Sequence, residues 1–281
     1  MGSLVLTCLS TFAASLGWTI EAELPRHPAP SPDGQRIAMS WQGDLWIVPA
    51  AGGDATRLTA HPAVERHPVW SRDGAWIAFT SDRYGNDDVF VMPVDGSTGP
   101  KRLTFASVDD APMDFSTDGS RVLFVSNRYR GIRWMPQLWY VAVDGGTPIL
   151  AQDAFGQAGA VSPDGAATVY VRGATRWTRR GYRGAANRDL WLRTADGDHV
   201  QLTTFDGDDD DPSFLDDHRV VFRSARSGRK NVFAQDLVGG DATQLTFHDG
   251  TDVRFPRAAA DGSLVAYEYE DGIWTVTPGG D

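Results

Sequence analysis

The chain has 281 residues, 41% hydrophobic and 11% aromatic with ten Trp, which suffices for a sizeable core and excludes a disordered polypeptide. Its formal charge of −11 gives the chain as a whole no attraction for nucleic acid or anionic lipid. A single cysteine, Cys8, excludes an intramolecular disulfide and a cysteine-rich zinc site.

Residues 4–16 (LVLTCLSTFAASL) are apolar and uncharged, short for a bilayer span, with the small residues Ala13, Ala14 and Ser15 at a cleavage-like point. Residues 1–17 therefore read as a signal-like segment, although no Lys or Arg precedes the apolar run. A periplasmic or secreted location is expected, or a cytoplasmic one if the segment is not a signal. No other segment reads as transmembrane, so none is expected in the mature chain.

A turn signal then recurs along the chain. It reads Ser31-Pro32-Asp33-Gly34, Ser71-Arg72-Asp73-Gly74, Ser116-Thr117-Asp118-Gly119 and Ser162-Pro163-Asp164-Gly165, with glycine steps of 40, 45 and 46 residues. Degraded copies follow at Leu215-Asp216-Asp217-His218 and Ala260-Asp261-Gly262. Pro presets φ, Asp bonds the local backbone and Gly accepts positive φ, so each turn joins two antiparallel strands.

Each turn is followed by one apolar run, such as Trp76-Ile-Ala-Phe or Val122-Leu-Phe-Val, and by a second, such as Asp44-Leu-Trp-Ile-Val or Asp189-Leu-Trp-Leu. A Gly-rich turn then leads to a short fourth strand, such as Thr56-Arg-Leu-Thr or Gln244-Leu-Thr. The fragment ahead of the turn, such as His67-Pro-Val-Trp, supplies the remaining strand. These runs are short, β-branched or aromatic, and bounded by turn residues; no long helical period occurs.

Four strands per repeat of this length predict an all-β fold, a six-bladed β-propeller of four-stranded antiparallel blades. One sheet cannot bury both faces, so the third-strand Trp and Phe are expected between blades. The expected blades are 26–61, 65–107, 109–155, 156–207, 208–250 and 251–281, within one domain over 18–281. The last blade stops where its fourth strand would begin, at Pro278-Gly279-Gly280-Asp281. Either residues 18–24 (WTIEAEL) supply that strand or the chain is a piece of something longer; both hold together.

The pattern S-P-D-G, then I-A-x-x-S, D-L-W-x-V and G-G-x-x-x-x-L-T resembles TolB-like propeller repeats. Three stretches bring it closer to the N-terminal six-bladed propeller of tricorn-type serine peptidases: Arg26-His-Pro-Ala-Pro-Ser-Pro-Asp-Gly, Gly43-Asp-Leu-Trp-Ile-Val-Pro-Ala-Ala-Gly-Gly, and Trp177-Thr-Arg-Arg-Gly-Tyr-Arg-Gly. The likeness covers residues 26–281. It implies an accessory role in peptide handling, with a peptide or protein partner such as a peptidase domain. No G-x-S-x-G elbow occurs and no stretch receives the family's catalytic Ser or His, so no catalytic residue is assigned and the chain is not expected to be an enzyme by itself. The alternatives are a fragment of a split serine peptidase and a propeller lyase or hydrolase with its site at the channel mouth.

Two groups are candidate binding residues. The Arg-rich insertion at 172–188 offers Arg176, Trp177, Arg179, Arg180, Tyr182 and Arg183, because guanidinium captures carboxylate in a bidentate fork and stacks on aromatics. The dull reading is a solvated loop lying on the propeller's own acidic rim. Glu65, Asp109, Asp110, Asp210 and Asp252 belong to segments between blades and are expected on the same face, near the channel mouth. No cofactor is expected, apart from weak Ca²⁺ at the run Asp208, Asp209, Asp210 and Asp211, which lacks EF-hand spacing. Ser81-Asp82-Arg83-Tyr84-Gly85 and Ser126-Asn127-Arg128-Tyr129 recur at matching positions and read as hairpin scaffolding. The six histidines show no metal-ligand spacing, and no metal site is expected.

Overall fold

The computed structural model describes residues 2–3, 6–8, 20–128, 135–175, 179 and 181–279. Three short N-terminal strands, β1 (Gly2–Ser3), β2 (Leu6–Cys8) and β3 (Ile20–Glu21), precede the repeats. Blade one is β4 (Arg26–Pro30), β5 (Arg36–Trp41), β6 (Asp44–Pro49) and β7 (Gly53–Arg57). Blade two is β8 (Glu65–Trp70), β9 (Trp76–Ser81), β10 (Asp88–Pro93) and β11 (Lys101–Arg102). Blade three is β12 (Asp110–Phe115), β13 (Arg121–Ser126), β14 (Gln137–Ala142) and β15 (Ile149–Phe155). Blade four is β16 (Gln157–Val161), β17 (Thr168–Arg172), β18 (Asp189–Arg193) and β19 (His199–Gln201). Blade five is β20 (Asp209–Phe214), β21 (Arg219–Ser224), β22 (Asn231–Asp236) and β23 (Thr243–Gln244). Blade six contributes three strands of its own repeat, β24 (Arg254–Ala258), β25 (Val265–Tyr269) and β26 (Gly272–Val276).

Within each blade the strands pair antiparallel in chain order, and the first strands meet one another around the axis, β24 against β4 included. This is a closed six-bladed β-propeller. The vacant edge of β26 pairs over two residues with β1, Gly2 opposite Thr275. Of the expected segment 18–24, the described residues 20–24 do not fill that place. Their strand β3 lies on β2, which runs parallel to β7 at the outer edge of blade one.

The Ser-x-Asp-Gly turns close the first two strands by a repeated device. Ser31 Oγ donates to Asp33 Oδ1 at 2.6 Å, that carboxylate accepts the Gln35 N–H at 3.1 Å, and Gly34, at φ +64°, donates to Ser31 O at 2.9 Å. A Cβ at that φ would be strained, which is why Gly stands there.

Second and third strands pair large side chains at one repeat position: Met39 with Trp46, Phe79 with Phe90, Phe124 with Trp139, Tyr170 with Trp191, Phe222 with Phe233 and Tyr267 with Trp274. Such cross-strand pairs hold register. Among the described residues, buried apolar side chains fall into six clusters, one at each junction between blades. Ala38 and Leu45 of blade one, for example, pack on Ile77, Phe79 and Phe90 of blade two. Burial of a Leu, Ile or Phe side chain contributes roughly 1.5–3 kcal/mol, so the junctions carry the fold.

The chain direction sorts the loops. Ser-x-Asp-Gly turns and third-to-fourth-strand turns lie on one face, the turn face. Second-to-third-strand loops and blade-to-blade connections lie on the other, the insertion face.

Candidate functional site

Every inner strand carries a β-bulge at closely matching repeat positions; in blade three Pro112 stays paired with Phe124 and Met113 is the extra residue. Counting four residues back from the first residue of each turn, which in the sixth is Ala259, gives His27, His67, Pro112, Ala158, Asp211 and Phe255. Five of these hold positive φ, from +44° at Ala158 to +54° at His67; proline cannot adopt it. A bulge turns its extra residue out of the ladder. All six residues, with Met113 beside Pro112, line one cavity at the axis.

Three of those rings meet. The His27 and His67 centroids are 3.8 Å apart, and Phe255 lies 4.9 Å from His27 and 5.6 Å from His67. Both imidazoles are held neutral. Burial, then His67 and nearby guanidinium groups, push His27 down to about 2. Burial, then Arg257 and Arg66, push His67 to about 4. The backbone N–H of His27 donates to Glu268 Oε1 at 2.6 Å, and Arg26 Nη1 donates to Glu268 Oε2 at 3.2 Å, so blade six clasps blade one. Toward the turn face a second cavity of about 80 Å³ contains Arg72, Arg257 and Asp114.

On the insertion face, the Arg-rich insertion leaves β17 through a tight neck. Gly173 takes φ +135°, and a Cβ there would lie 2.2 Å from Asn187 O. The N–H groups of Ala174 and Thr175 both reach Ala186 O, at 3.1 and 2.8 Å. Arg176, Trp177 and Arg180 lie outside the described residues. Arg179 is exposed and lies over the Tyr182 ring at 4.3 Å. Arg183 makes an exposed pair with Asp206 at 3.7 Å, a geometry that contributes little. The flanking Arg172 stacks on Trp191, and Arg188 binds Asp210 at 3.3 Å, so these two brace the base.

Of the acids expected in segments between blades, Asp109 and Asp252 lie there, whereas Glu65, Asp110 and Asp210 stand on inner strands. Glu65 and Asp110 begin inner strands β8 and β12, are fully buried, and bind Arg83 and Arg128 respectively. Asp209 does the same with Arg226 at 2.9 Å. Asp210 is enclosed by Arg223, Lys230 and Arg188; burial pushes its carboxyl up, but these cations outweigh it and hold it below the usual range. Asp208 accepts the Arg188 N–H at 3.0 Å, and Asp211 faces Arg223 at 3.0 Å. Asp109 is exposed and accepts the Asp87 N–H at 3.1 Å. Asp252 lines a cleft of about 410 Å³ between blades six and one, with Arg26, Arg254, Glu268 and Glu270. Among the described residues, no group of three or more His, Cys, Asp or Glu is disposed to hold a metal ion.

The scaffolding loops are braced as their recurrence suggests. Asp82 Oδ1 accepts the Val64 N–H at 2.8 Å, and Arg83 and Arg128 also lie over Phe90 and Phe124 at 5.2 and 4.7 Å.

The insertion face is also the apolar one. Of eleven exposed large apolar side chains among the described residues, six are there: Leu24, Val64, Tyr84, Phe105, Met135 and Phe247, with Phe105 and Phe247 each more than two-thirds exposed. Trp76 and Val238 lie on the turn face, and Ile149, Leu150 and Val200 on outer strands.

Residues 22–281 match the tricorn protease N-terminal β-propeller domain. The chain belongs to this family. It is 34% identical over 258 residues to tricorn protease homolog 1 of Streptomyces coelicolor, covering 88% of this chain and 23% of that protein. It thus spans less than a quarter of the length of this curated relative. The crystal structure of the tricorn protease superposes with TM-score 0.81 at 20% identity, over 92% of this chain and 25% of that one. TolB from Acinetobacter baumannii superposes with TM-score 0.65 at 21% identity, over 86% and 59%. At these identities the two structures share the fold alone.

In this tricorn-type propeller the axial residues escape a motif search. His27 and His67 stand forty residues apart and meet because each lies four residues ahead of its turn. That shared offset is the one signal in the sequence that pairs them.

Proposed function

We propose that this tricorn-type propeller is a non-catalytic binding and gating module that docks a peptide or protein partner on its insertion face. The observation that carries this reading is that exposed apolar side chains are more numerous on that face, which also carries the exposed Arg179 and Arg183. Aromatic anchors flanked by arginine are what protein-binding hot spots are made of. Its curated relative is about four times longer, so a peptidase domain, in the same chain or another, is the first partner to test. Proteolysis or envelope assembly, outside the cytoplasm, is the setting that fits.

Capture from native envelope extracts identifies the bound chain, whose affinity is then measured on purified protein. Phe105→Ser with Phe247→Ser weakens it by about tenfold or more, equal to about 1.4 kcal/mol, with an unaltered melting temperature. Arg179→Ala with Arg180→Ala does likewise. Undiminished affinity in both variants counts against this face.

A second reading has one observation behind it. His27 and His67 converge on the axis in one cavity with Asp211, as a propeller lyase or hydrolase would require. Burial keeps both rings neutral and Asp211 faces Arg223, an arrangement better suited to a fixed plug than to proton transfer.

A further inference from the structure

We propose that the turn-face end of the axial channel is a binding site for a carboxylate carried on a short apolar stem. It lies at the opposite end of the axis from the docking face and does not depend on that reading.

The cavity there measures about 80 Å³, with Pro32, Arg72 and Ala260 at its rim. A water needs roughly 10–15 Å³ of such space, so the cavity has room for one carboxylate with some stem behind it. Its walls include Val69, Trp70, Met113 and Phe214.

Two guanidinium groups enter this cavity, and neither has an ion pair among the described residues. Arg72 reaches from blade two to blade four, where Nη2 donates to Val161 O at 2.6 Å; its buried Nε has no partner. Arg257 Nη1 has only long contacts to carbonyl oxygens, Pro256 O at 3.3 Å and Pro212 O at 3.5 Å. A guanidinium presents five N–H donors in a planar fork, and most of these ten have no protein acceptor among the described residues.

The one carboxylate on the cavity wall is already engaged. Asp114 accepts the N–H groups of Val161 and Phe115, each at 2.8 Å; burial raises its pKa while the Arg72 and Arg257 charges lower it, so it offsets one of the two cations. Asp211, in the adjoining cavity, faces Arg223. The balance around Arg72 and Arg257 is therefore short of one negative charge. A carboxylate supplies that charge and accepts two parallel N–H bonds. The apolar wall offers little to the further oxygens of a phosphate, since the Trp70 indole N–H is committed to Ala29 O at 2.9 Å. It suits a branched aliphatic stem.

Calorimetry on the full chain tests this with N-acetyl-leucine, N-acetyl-leucinamide and acetate. The acid binds about tenfold or more tighter than the amide, a gap of about 1.4 kcal/mol. Arg257→Gln abolishes that preference, Arg257→Lys keeps part of it, and Phe105→Ser leaves it intact. Acetate weaker than N-acetyl-leucine assigns the site to chain ends; acetate equally tight assigns it to free small acids, the carboxylate chemistry standing in both cases. Equal binding of acid and amide, or no binding of either, overturns the proposal, and this comparison needs no variant to fold.

Discussion

His67 shows how much of this molecule's chemistry depends on one backbone angle. Its φ of +54° sends the imidazole toward the axis, against His27 and Phe255, where desolvation penalises the charged form. The unfolded chain takes up a proton there below about pH 6.5, the folded chain only below about 4. Stability attached to this group is therefore complete above pH 6.5 and declines as pH falls toward 4, by on the order of 3 kcal/mol. Asn tolerates positive φ and does not titrate. His67→Asn should flatten the acid limb of stability against pH, measured by urea unfolding at several pH values. Parallel limbs for the two proteins would refute the burial argument. None of this was legible in the sequence, because His, Asp, Ala and Phe at a left-handed bulge carry no turn signature. The acids misled for the opposite reason. Glu65 and Asp110 look like loop carboxylates, yet an Arg stands 18 residues after each, at 83 and 128, and that recurrence was a readable sign of pairing.

The blade is the element in which repetition does the predicting. Turns, strand order and third-strand aromatics were legible because each repeat restates the same local chemistry, and agreement between copies removes ambiguity. The departures between copies are informative too. In blades one and two the fourth strand supplies Arg57 and Arg102, which bind Asp44 and Asp88 at the start of the third strand, at 2.5 and 2.6 Å. Blade four keeps the acid as Asp189 but places Gln201 opposite, in the same register against Trp191. Asp189 Oδ1 is buried without a hydrogen-bond partner. Burial, with Asp209 and Asp208 nearby, pushes its carboxyl up to about 6. A carboxyl raised in the folded state holds its proton longer than in the unfolded chain, so its contribution to stability falls as pH rises from about 4 past 6. Gln201→Arg should restore the missing cation and stabilise the protein by about 1 kcal/mol at pH 7.5. At pH 4.5 the gain should be smaller. Thermal melting at both pH values checks it, and a gain independent of pH would show that Asp189 is not the group being paired.

At the scale of the ring, closure decides whether six sheets behave as one body. Blade count was legible from the period. The closing contacts were not, because the last repeat supplies three strands and the rest comes from distant sequence. Glu268 stands at that seam, accepting from His27 N–H and Arg26, and close by Leu24 N–H donates to Asp271 O at 3.2 Å. On the turn face Asp261 N–H donates to Pro32 O at 3.0 Å. Glu268→Ala should cost about 2–3 kcal/mol, since it leaves a buried N–H and a guanidinium without their acceptor. Hydrogen exchange should locate the loss, with the His27 amide losing protection before the amides of blades three and four. Uniform loss around the ring would mean that the seam carries no special share of the stability.

The coincident bulges have a consequence for how such a molecule can change. The six residues that line the axis at or beside them are His, His, Pro, Ala, Asp and Phe, in blades whose junctions are built alike. A substitution there rewrites the lining of the pore and leaves the blade-junction cores in place, although at 27, 67 and 255 it also changes ring contacts between blades. The propeller thus offers six exchangeable letters at its centre, three of them read together, spelled by a frame that does not need to be re-engineered when the word is altered.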